Sequence, residues 1–296
     1  MASVAIAIPN LNGGKYLFET LKSLQVQTEK PDEIIISDNY SSDDSLEIIK
    51  LFSNLNIRVV QPDRFLKMSE NWNYAVDHTS SDWFFLLSND DLLRNSAIKR
   101  LKEIVSDLAP NIGVVSFKSE IIDENSRLVL GKYRFGKPQF WNEHEFLCQN
   151  IKFLHINAAS VAIKKDAWVD TGKFPDEYAV LHDLVFYQRV ISKWRILESK
   201  DVLGRYRIYN HKPNSEARSK LVLDDFLTYE GTDLRFHSEK YPDLMEIYSS
   251  DRFEFPSSFL GSNLRLRKAG LSIMTMARRA QSIFRHSGFP NDSRMD

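Results

Sequence analysis

Two adjacent carboxylates, Asp90 and Asp91, directly follow an apolar run at residues 84–87. Hard divalent cations such as Mg²⁺ and Mn²⁺ take oxygen ligands, typically one or two carboxylates together with the phosphates of a substrate. The pair is therefore a candidate site for a metal ion and a diphosphate. The alternative is a purely structural role, because Asp91 could cap a turn that begins at Leu92.

A second polar cluster, residues 38–43, follows the apolar run at residues 33–37. The Asp38 carboxylate could accept a hydrogen bond from the imide N–H of a uracil or thymine ring. The serines and acids after it could equally do no more than cap the next helix, which is common where a strand leads into a helix. The cluster alone leaves both interpretations open.

The apolar runs alternate with amphipathic segments. This alternation predicts parallel strands joined by right-handed crossovers, and uninterrupted apolar strands are typical of a sheet covered on both faces. Because ligands bind beyond the carboxyl ends of such strands, we expect Asn10, Asp38 and Asp90 along one edge. The predicted strands are 4–8, 33–37, 57–60, 83–87 and 113–117, and the predicted helices are 16–27, 43–52, 71–78 and 97–108.

The second half of the chain loses this regular alternation. We predict a loop or hairpin at 131–141, a strand at 159–163, and helices at 184–192, 219–248 and 258–285. The predicted fold class is therefore α/β, with a mostly parallel central sheet flanked by helices and a helical C-terminal extension.

The composition excludes several classes of protein. The chain has 296 residues, of which 43% are hydrophobic and 27% charged, as is typical of globular rather than disordered proteins. The formal net charge of -1 gives no indication of a nucleic-acid partner. The single cysteine, Cys148, cannot form an internal disulfide, and we expect it in the core. No set of cysteines and histidines indicates structural zinc.

One ordered series of motifs includes both polar clusters. It comprises Ile8-Pro9-Asn10-Leu11-Asn12, Tyr16-Leu17, Glu33–Asp38, and residues 41–43, 71–75 and 86–91. The series resembles the opening of family-2 glycosyltransferases of the GT-A fold, of the type that assembles bacterial polysaccharides. The resemblance covers residues 1–115 closely and residues 155–210 more loosely. The chain lacks a Gly-x-Gly-x-x-Gly turn after its first strand, which argues against a dinucleotide-dependent oxidoreductase.

The resemblance implies roles for residues of the first half. Asp38 is expected to recognise a pyrimidine base, with Pro9 beside the base and ribose and Tyr40 as a wall of the pocket. Where the family has an Asp-x-Asp signature, Ser88 replaces the first acid and Asp90 keeps the second, the ligand of Mn²⁺ or Mg²⁺. Asp91 is a weaker metal ligand. The expected nucleotide-binding set is Pro9, Asn10, Asn12, Asp38, Tyr40, Asn71, Ser88, Asn89 and Arg207.

The second half resembles the acceptor side of the family. Residues 172–177 are similar to its glycine–phenylalanine–acid segment, and His182-Asp183 to the acid pair that follows. The second acid of that pair is the family's catalytic base, so Asp183 is expected to take the proton of the acceptor hydroxyl. The alternative for Asp183 is a helix cap. His182 stands where a glutamate is usual, and we expect it at the surface.

Two further residues resemble a loop that closes over the diphosphate. Arg207 would pair with phosphate oxygens, and a surface arginine is an equally open alternative. His211 is a weaker candidate for a metal ligand. The resemblance divides the chain into a catalytic domain, 1–212, and a helical extension, 213–296; the domain comprises a nucleotide-binding half, 1–115, and an acceptor half, 116–212.

The expected activity is an inverting transfer of sugar from a nucleotide-diphosphate donor to a hydroxyl of a saccharide or polyprenyl-linked saccharide. A UDP-sugar is the first expectation because Asp38 can bind uracil, although thymine would be bound the same way. One metal and one base suit a single in-line displacement. The alternative is a catalytically weak or inactive nucleotide-sugar-binding module, which the departures at Ser88 and His182 would explain.

Residues 262–285 combine apolar residues with six arginines and lysines and contain no acid. Such a basic amphipathic helix can lie on an anionic membrane, whereas the alternative is a helix packed on the catalytic domain with its basic face in solvent. The N-terminus does not resemble a signal peptide, and no apolar run approaches the roughly 18–20 residues that span a bilayer. We therefore expect a protein that either stays in the cytoplasm or lies peripherally on the inner face of the plasma membrane.

The membrane hypothesis predicts that the full chain sediments with anionic vesicles and that a form lacking residues 262–285 does not. The reason is that the six cations and the apolar face would both be lost. Cosedimentation with vesicles of anionic and of neutral lipid measures the difference. Equal sedimentation of the truncated form would refute the hypothesis.

Overall fold

In the computed structural model, residues 2–129, 139–152, 156, 160–209 and 215–249 are described, and they form one nine-stranded sheet with helices on both faces. The strands are β1 (Val4–Asn10), β2 (Glu33–Asp38), β3 (Ile57–Val60), β4 (Trp83–Leu86), β5 (Leu92–Leu93), β6 (Ile112–Ile122), β7 (Gln139–Phe140), β8 (Val161–Lys164) and β9 (Arg195–Arg207). The helices are α1 (Gly14–Gln25), α2 (Ser45–Lys50), α3 (Met68–Asp77), α4 (Ala97–Ser106), α5 (Glu143–Lys152), α6 (Lys165–Asp170), α7 (His182–Ile191), α8 (Ser215–Gly231), α9 (Asp233–Lys240) and α10 (Asp243–Ser249).

The strand order is β3-β2-β1-β4-β8-β6-β9-β5, and β7 pairs with β9. Strands β1 to β4 are mutually parallel where they pair, as are β6 and β9. Strand β8 runs antiparallel to both of its neighbours, β4 and β6. The mostly parallel sheet predicted from the alternation is confirmed, and β8 is the reversed strand that inserts between its two parallel parts.

The alternation of side chains along β1 serves two hydrophobic cores. Val4, Ile6 and Ile8 lie in the core beneath α1, α2 and α4, whereas Ala5 and Ala7 lie in the core beneath α3 and α5 to α10. Burying apolar surface on both faces is the main favourable contribution to such a three-layer fold. Because the rest of β1 is apolar and buried on both faces, its polar residue, Asn10, lies at its carboxyl end.

Strand register brings the expected binding residues side by side. Asn10, the last residue of β1, is the partner of Asp38, the last residue of β2. Strand β4 ends earlier, where Leu86 is the partner of Ala7, so the polar stretch 88–91 begins beside the end of β1. The parallel arrangement therefore delivers all three polar clusters to one edge, as expected.

The predicted strands of the first 117 residues are all present, but the second half differs from the prediction. The predicted helix 219–248 is three helices, because Thr232 leaves helical geometry at φ −120° and ψ −91° and Pro242 lacks a backbone N–H. Strand β9 and helices α5 and α6 are additional. The predicted helix 258–285 lies outside the described residues. Within the described ranges, no helix is both long enough and apolar enough to span a bilayer.

Candidate functional site

The side chain of Asn10 joins the ends of three strands. Its Nδ2 donates to Asp38 Oδ1 at 3.0 Å and to Ser41 Oγ at 3.0 Å, and its Oδ1 accepts from Asn89 Nδ2 at 2.8 Å. Asn10 is 0% exposed and Asp38 is 1% exposed. The hydrogen bonds satisfy these two buried side chains, whose polar groups would be costly to leave unpaired. The structure therefore brings Asn10, Asp38 and Asn89 together in one network.

Gly13 makes room for this network. A Cβ at Gly13 would lie 2.3 Å from Asn10 Oδ1 and 2.3 Å from Asn89 Nδ2, the two atoms that share a hydrogen bond. Any larger residue would push the two amides apart. The role of Gly13 could not be predicted without the strand register, because Asn10 and Asn89 are distant from each other in sequence.

Two of the expected nucleotide-binding residues have positive backbone φ angles, Asn12 at 50° and Tyr40 at 62°. Asn12 Oδ1 accepts the backbone N–H of Ser42 at 2.8 Å, which supports this conformation locally. Tyr40 is 46% exposed, and a bulky residue in the left-handed region costs about 1–2 kcal/mol. The fold thus holds an aromatic ring outward beside Asp38 at a cost in backbone strain.

Two asparagines, Asn39 and Asn71, connect β2 and the residue after it to α3 and the segment that precedes α3. Ser37 Oγ donates to Asn71 Oδ1 at 2.5 Å, so Asn71 is turned inward. The side chain of Asn39 bonds both the N–H and the C=O of Leu66, each at 2.9 Å. Asn71 therefore has a structural contact in this conformation, and Asn39 is a positioning residue that the sequence prediction left out of the site. Pro9, also buried, precedes Asn10 in β1 and pairs with Ser37.

The side chain of Thr20 holds residues 89–91, the segment that contains the expected metal ligand Asp90. Its Oγ1 lies 3.0 Å from the carbonyl oxygen of Asn89 and 2.9 Å from that of Asp91. Ser88, Asn89 and Asp90 are all partly exposed along the same edge. The Tyr209 hydroxyl donates to Asp90 Oδ2, and no described residue donates to Asp90 Oδ1. Asp90 is therefore a partly solvated carboxylate at the strand end.

The neighbouring acid Asp91 has a different environment. It is 1% exposed, and its Oδ1 accepts the backbone N–H of Arg207 at 2.8 Å. Burial and the charge of Asp90 raise the pKa of Asp91 well above the ordinary value. Leu92 and Leu93 form β5, which pairs with β9, so Asp91 caps no helix. Asp91 connects β9 to the edge and turns away from solvent, an arrangement that does not favour the weaker metal role expected from the sequence.

Neither expectation for Arg207 agrees with the structure. Its side chain is 0% exposed, so it is neither a surface arginine nor open to phosphate oxygens in this conformation. The guanidinium donates to the Asp90 carbonyl at 2.8 Å and to Glu19 at 2.9 Å. It also donates to the Asp123 carbonyl at 3.1 Å and to Ser126 Oγ at 2.9 Å. Arg207 thus acts on the backbone of Asp90, and His211, the other residue expected from this loop, lies outside the described residues.

The expected base Asp183 lies in the first turn of α7 and is partly exposed. Its Oδ1 accepts the backbone N–H of Leu184 at 2.7 Å, and the N-cap position is occupied by Leu181. A carboxylate at this place is stabilised by the helix dipole. Asp183 is therefore not the N-cap residue expected as the alternative, and its role as the base stays a prediction that the partly exposed carboxylate permits.

His182 is buried, and the expectation of a surface histidine is wrong. It is 2% exposed, and its ring packs edge-on against Trp72 at 5.1 Å and Phe174 at 5.4 Å between centroids. Neither ring nitrogen has a hydrogen-bond partner among the residues that the structure describes. Burial lowers the pKa of His182 to about 4, so the ring is neutral. His182 therefore acts as a core side chain beneath Asp183.

Helix α8 holds the segment that leads into α7. The carboxylate of Asp225 accepts the backbone N–H groups of Ala179, Val180 and Leu181 at 2.9, 2.6 and 2.8 Å. The segment ends at the residue before His182, so Asp225 holds the backbone that leads directly into α7. Sequence analysis missed Asp225, since a carboxylate in a distant helix shows no local signal for such a contact.

A cavity of about 430 Å³ lies between α3 and residues 172–177. Its charged lining residues include Glu70, Asp77, Lys173 and Arg189. None of the three acids Asp38, Asp90 and Asp183 lines it. Lys173 pairs with Asp77 at 2.7 Å and Arg189 with Asp233 at 2.7 Å. The cavity is thus separate from the expected catalytic residues, and several of its charges are already paired.

A family model and a curated relative match much of the sequence. The family model described as "Glycosyl transferase family 2" matches residues 5–167. The chain is 22% identical over 222 residues to the O-antigen chain rhamnosyltransferase WbaN of Salmonella anatum, across 73% of this chain and 69% of WbaN.

Two solved structures show that the fold is that of the GT-A glycosyltransferases. S. aureus TarS 1-349 in complex with UDP-GlcNAc has a TM-score of 0.66 and 18% identity, across 93% of this chain and 81% of TarS 1-349. The mannosyltransferase PcManGT of Pyrobaculum calidifontis, in complex with GDP-Man and Mn²⁺, has a TM-score of 0.60 and 13% identity. That match covers 95% of this chain and 81% of PcManGT.

Replacing Asp225 by alanine should lower the free energy of unfolding by about 3 kcal/mol, because buried N–H groups of residues 179–181 would lose their acceptor. Urea unfolding followed by circular dichroism measures this loss. The matched control is Asp224→Ala at the exposed neighbouring position, which should stay within about 0.5 kcal/mol of the wild type. Equal effects of the two substitutions would contradict the role of Asp225.

The neutral, buried state of His182 predicts a pH dependence of stability. The unfolded chain takes up a proton below about pH 6.5, whereas folded His182 resists it until about pH 4. Stability should therefore fall as the pH is lowered through this window, by on the order of 3 kcal/mol in total. His182→Phe should flatten that part of the profile and add about 1 kcal/mol at pH 7, since two unpartnered nitrogens are removed.

Urea unfolding of the wild type and His182→Phe between pH 4 and pH 7.5 tests this expectation. Both proteins should share the remaining slope that comes from other groups. A profile of the same steepness in both would show that His182 does not titrate as its burial requires.

Proposed function

Because this chain belongs to glycosyl transferase family 2 and is a glycosyltransferase that uses nucleotide-sugars, we propose that it transfers a sugar from a UDP-sugar to a hydroxyl of a saccharide or polyprenyl-linked saccharide. The observation that carries the proposal is the Asn10 network. It joins Asp38 directly to Asn89, the neighbour of Asp90. The group for the base and the group for the diphosphate thus belong to one rigid edge.

The donor would lie along this edge. Asp38 is 1% exposed in this conformation, so neighbouring residues of the edge would have to move for a base to reach it. Asp38 would then accept the imide N–H of the uracil ring, since a carboxylate has more acceptor positions than the two occupied here. Tyr40 would form the outer wall, which its exposed ring and strained backbone support. Pro9, Asn12 and Ser88 complete the proposed nucleotide contacts, while Asn10, Asn71 and Asn89 would act by holding the edge together. Arg207, being buried, would position Asp90 and not contact phosphate.

The residues at the edge suit a divalent cation, Mn²⁺ or Mg²⁺. Asp90 offers a partly solvated carboxylate whose Oδ1 has no donor among the described residues, and a diphosphate supplies further oxygens. Asp91 and His211 are weaker candidates, the first because it is buried. A bound cation would neutralise the charge that develops on the leaving diphosphate. PcManGT, which has a similar fold, is described with Mn²⁺.

Asp183 would act as the general base. It would accept the proton of the acceptor hydroxyl while that oxygen forms a bond to the anomeric carbon and the bond from that carbon to the diphosphate oxygen breaks. One displacement of this kind inverts the anomeric centre. The partly exposed carboxylate at the first turn of α7, fixed in place through Asp225, supports this role.

The biological setting is also a proposal. Residues 1–212 would form the catalytic domain, 1–115 binding the nucleotide and 116–212 the acceptor, and the extension 213–296 would support it. The similarity to WbaN, described as an O-antigen chain rhamnosyltransferase, supports a role in polysaccharide assembly. Residues 262–285, which lie outside the described residues, would place the protein at the cytoplasmic face of an anionic membrane. No nucleic-acid partner is proposed.

A second candidate is a catalytically weak or inactive nucleotide-sugar-binding module. Ser88 in place of an acid and the Tyr209 hydroxyl on Asp90 Oδ2 favour it, because both reduce the negative charge available to a cation. The two candidates differ in one measurable property, turnover of the donor.

Asp90→Ala and Asp183→Ala should each lower sugar transfer in the presence of Mn²⁺ by roughly 100-fold or more, because each removes a group that acts in the transition state. Donor binding should be retained better in Asp183→Ala. Transfer is measured by release of the nucleoside diphosphate, and donor binding by the rise in melting temperature with nucleotide-sugar and Mn²⁺. Asp166→Ala, on the exposed side of α6, is the matched control and should keep full activity.

Unchanged transfer in either variant would remove that residue from its role. Binding of a nucleotide-sugar without turnover by the wild-type protein would favour the inactive module. Screening UDP-, dTDP- and GDP-sugars in the same melting assay identifies the base, and a UDP-sugar should give the largest shift.

A further inference from the structure

Within the part of the chain that the structure describes, three metal-ligating side chains converge at the junction of α5 and α10. His144 and Cys148 are four residues apart on α5, which places them on one face of the helix, and Asp243 is the first residue of α10. The three candidate ligand atoms all lie within 4.8 Å of one another. All three side chains are accessible from solvent, so an ion could reach them.

The contacts in this cluster meet at a single ring nitrogen. His144 Nε2 lies 2.8 and 3.0 Å from the two carboxylate oxygens of Asp243, and 3.5 Å from Cys148 Sγ. A Cys-His-Asp catalytic relay needs the thiol and the acid on different ring nitrogens, so this cluster is not a relay. One nitrogen carries either one proton or one lone pair and cannot serve both partners well. A cation at the centre would bind all three atoms at once.

We propose that His144, Cys148 and Asp243 form a Zn²⁺ site, with water as the fourth ligand. Thiolate, imidazole and carboxylate are the ligands that zinc takes, in tetrahedral geometry. Zinc–ligand bonds of about 2.0–2.3 Å put the ligand atoms of a tetrahedron roughly 3.3–3.8 Å apart. The separations of 2.8 to 3.5 Å around His144 Nε2 are close to this range, and all three ligand atoms lie within 4.8 Å, so side-chain rotations that bring Cys148 and Asp243 closer together would complete the site. Binding would release the thiol proton of Cys148 to solvent.

The surroundings already hold the two helices in place for such a site. Glu143, the residue before His144, pairs with Lys240 at 2.6 Å and accepts the Tyr241 hydroxyl at 3.2 Å. The His144 ring lies 4.8 Å from the Tyr241 ring. Leu244, next to Asp243, is fully buried in the core that includes α5. The zinc ion would therefore link the extension to the sheet-bearing part of the chain, independently of the proposed transferase function.

Titration of the metal-free full chain with Co²⁺ tests the proposal directly. A cobalt ion bound by a thiolate has an intense charge-transfer band in the near ultraviolet, and Cys148 is the single cysteine of the chain. The band therefore reports this site alone. It should saturate at one Co²⁺ per chain and disappear on addition of Zn²⁺. Saturation at half this ratio would mean a site shared between two chains and would overturn the proposal.

Substitutions separate the proposed site from other metal binding. Cys148→Ser should abolish the band, and His144→Gln and Asp243→Asn should each weaken Co²⁺ binding at least 10-fold, as loss of a metal ligand does. Glu145→Gln, at the exposed neighbouring position on α5, is the matched control and should bind as the wild type does. Asp90→Ala should also keep the band, because no thiol is part of that site.

The effect of Zn²⁺ on the folding equilibrium is a second measurement, and it does not depend on the cobalt absorption band. When the free Zn²⁺ concentration is about 100 times the dissociation constant of the wild-type site, the folding equilibrium constant of the wild type should rise about 100-fold. That of Asp243→Asn should not rise under the same conditions. Circular dichroism of each apo variant verifies that it is folded. Zinc stabilisation of equal size in folded Asp243→Asn, or no thiolate band in the wild type, would refute the site.

Discussion

The side chain of Asn10 is the interaction on which the proposed donor site depends. An amide can donate and accept at the same time, and Asn10 does both, donating to Asp38 and accepting from Asn89. A carboxylate at this position would repel Asp38, and an apolar residue would remove the hydrogen bonds to both Asp38 and Asn89. Parallel strands end at one edge in any such sheet, and this hydrogen-bonded joint adds side-chain contacts that hold their polar ends together. The absence of a side chain at Gly13 is part of the same constraint.

A second constraint gives the adjacent acids Asp90 and Asp91 different environments. Asp90 stays partly solvated, whereas Asp91 is buried and has a raised pKa, first because of burial and then because of Asp90 itself. Arg207 reinforces the division, since its backbone N–H binds Asp91 and its guanidinium binds the Asp90 carbonyl. One partly solvated carboxylate, that of Asp90, therefore faces the edge at this position. This explains why one acid can suit a cation there although the sequence shows two.

The first half of the site could be predicted from sequence because its information is local. Each strand of β1 to β4 is an apolar run, and each polar cluster directly follows its own strand, so Asn10, Asp38 and Asp90 needed no knowledge of distant partners. The buried positions of Arg207 and His182 could not be predicted in this way, because charge and polarity usually indicate surface. Glu19 and the Asp90 carbonyl receive Arg207, and Trp72 and Phe174 surround His182, all brought there by tertiary packing. The sequence showed no zinc motif because His144 and Cys148 are only two ligands and the third, Asp243, is supplied by another helix.

Residues beyond position 212 hold α7, the helix that carries the proposed base Asp183. Asp225 accepts the N–H groups that precede α7, and Asp233 pairs with Arg189 within α7 at 2.7 Å. Burial opposes the ionisation of Asp233, yet the hydrogen bonds from Arg189 and Tyr178 outweigh it and lower its pKa, so this pair stays charged. The expected boundary at 212 follows the motifs of the sequence, whereas the hydrogen bonds that hold the helix of Asp183 cross that boundary. Any change that moves α8 or α9 must therefore move the proposed base relative to the edge that carries Asp38 and Asp90.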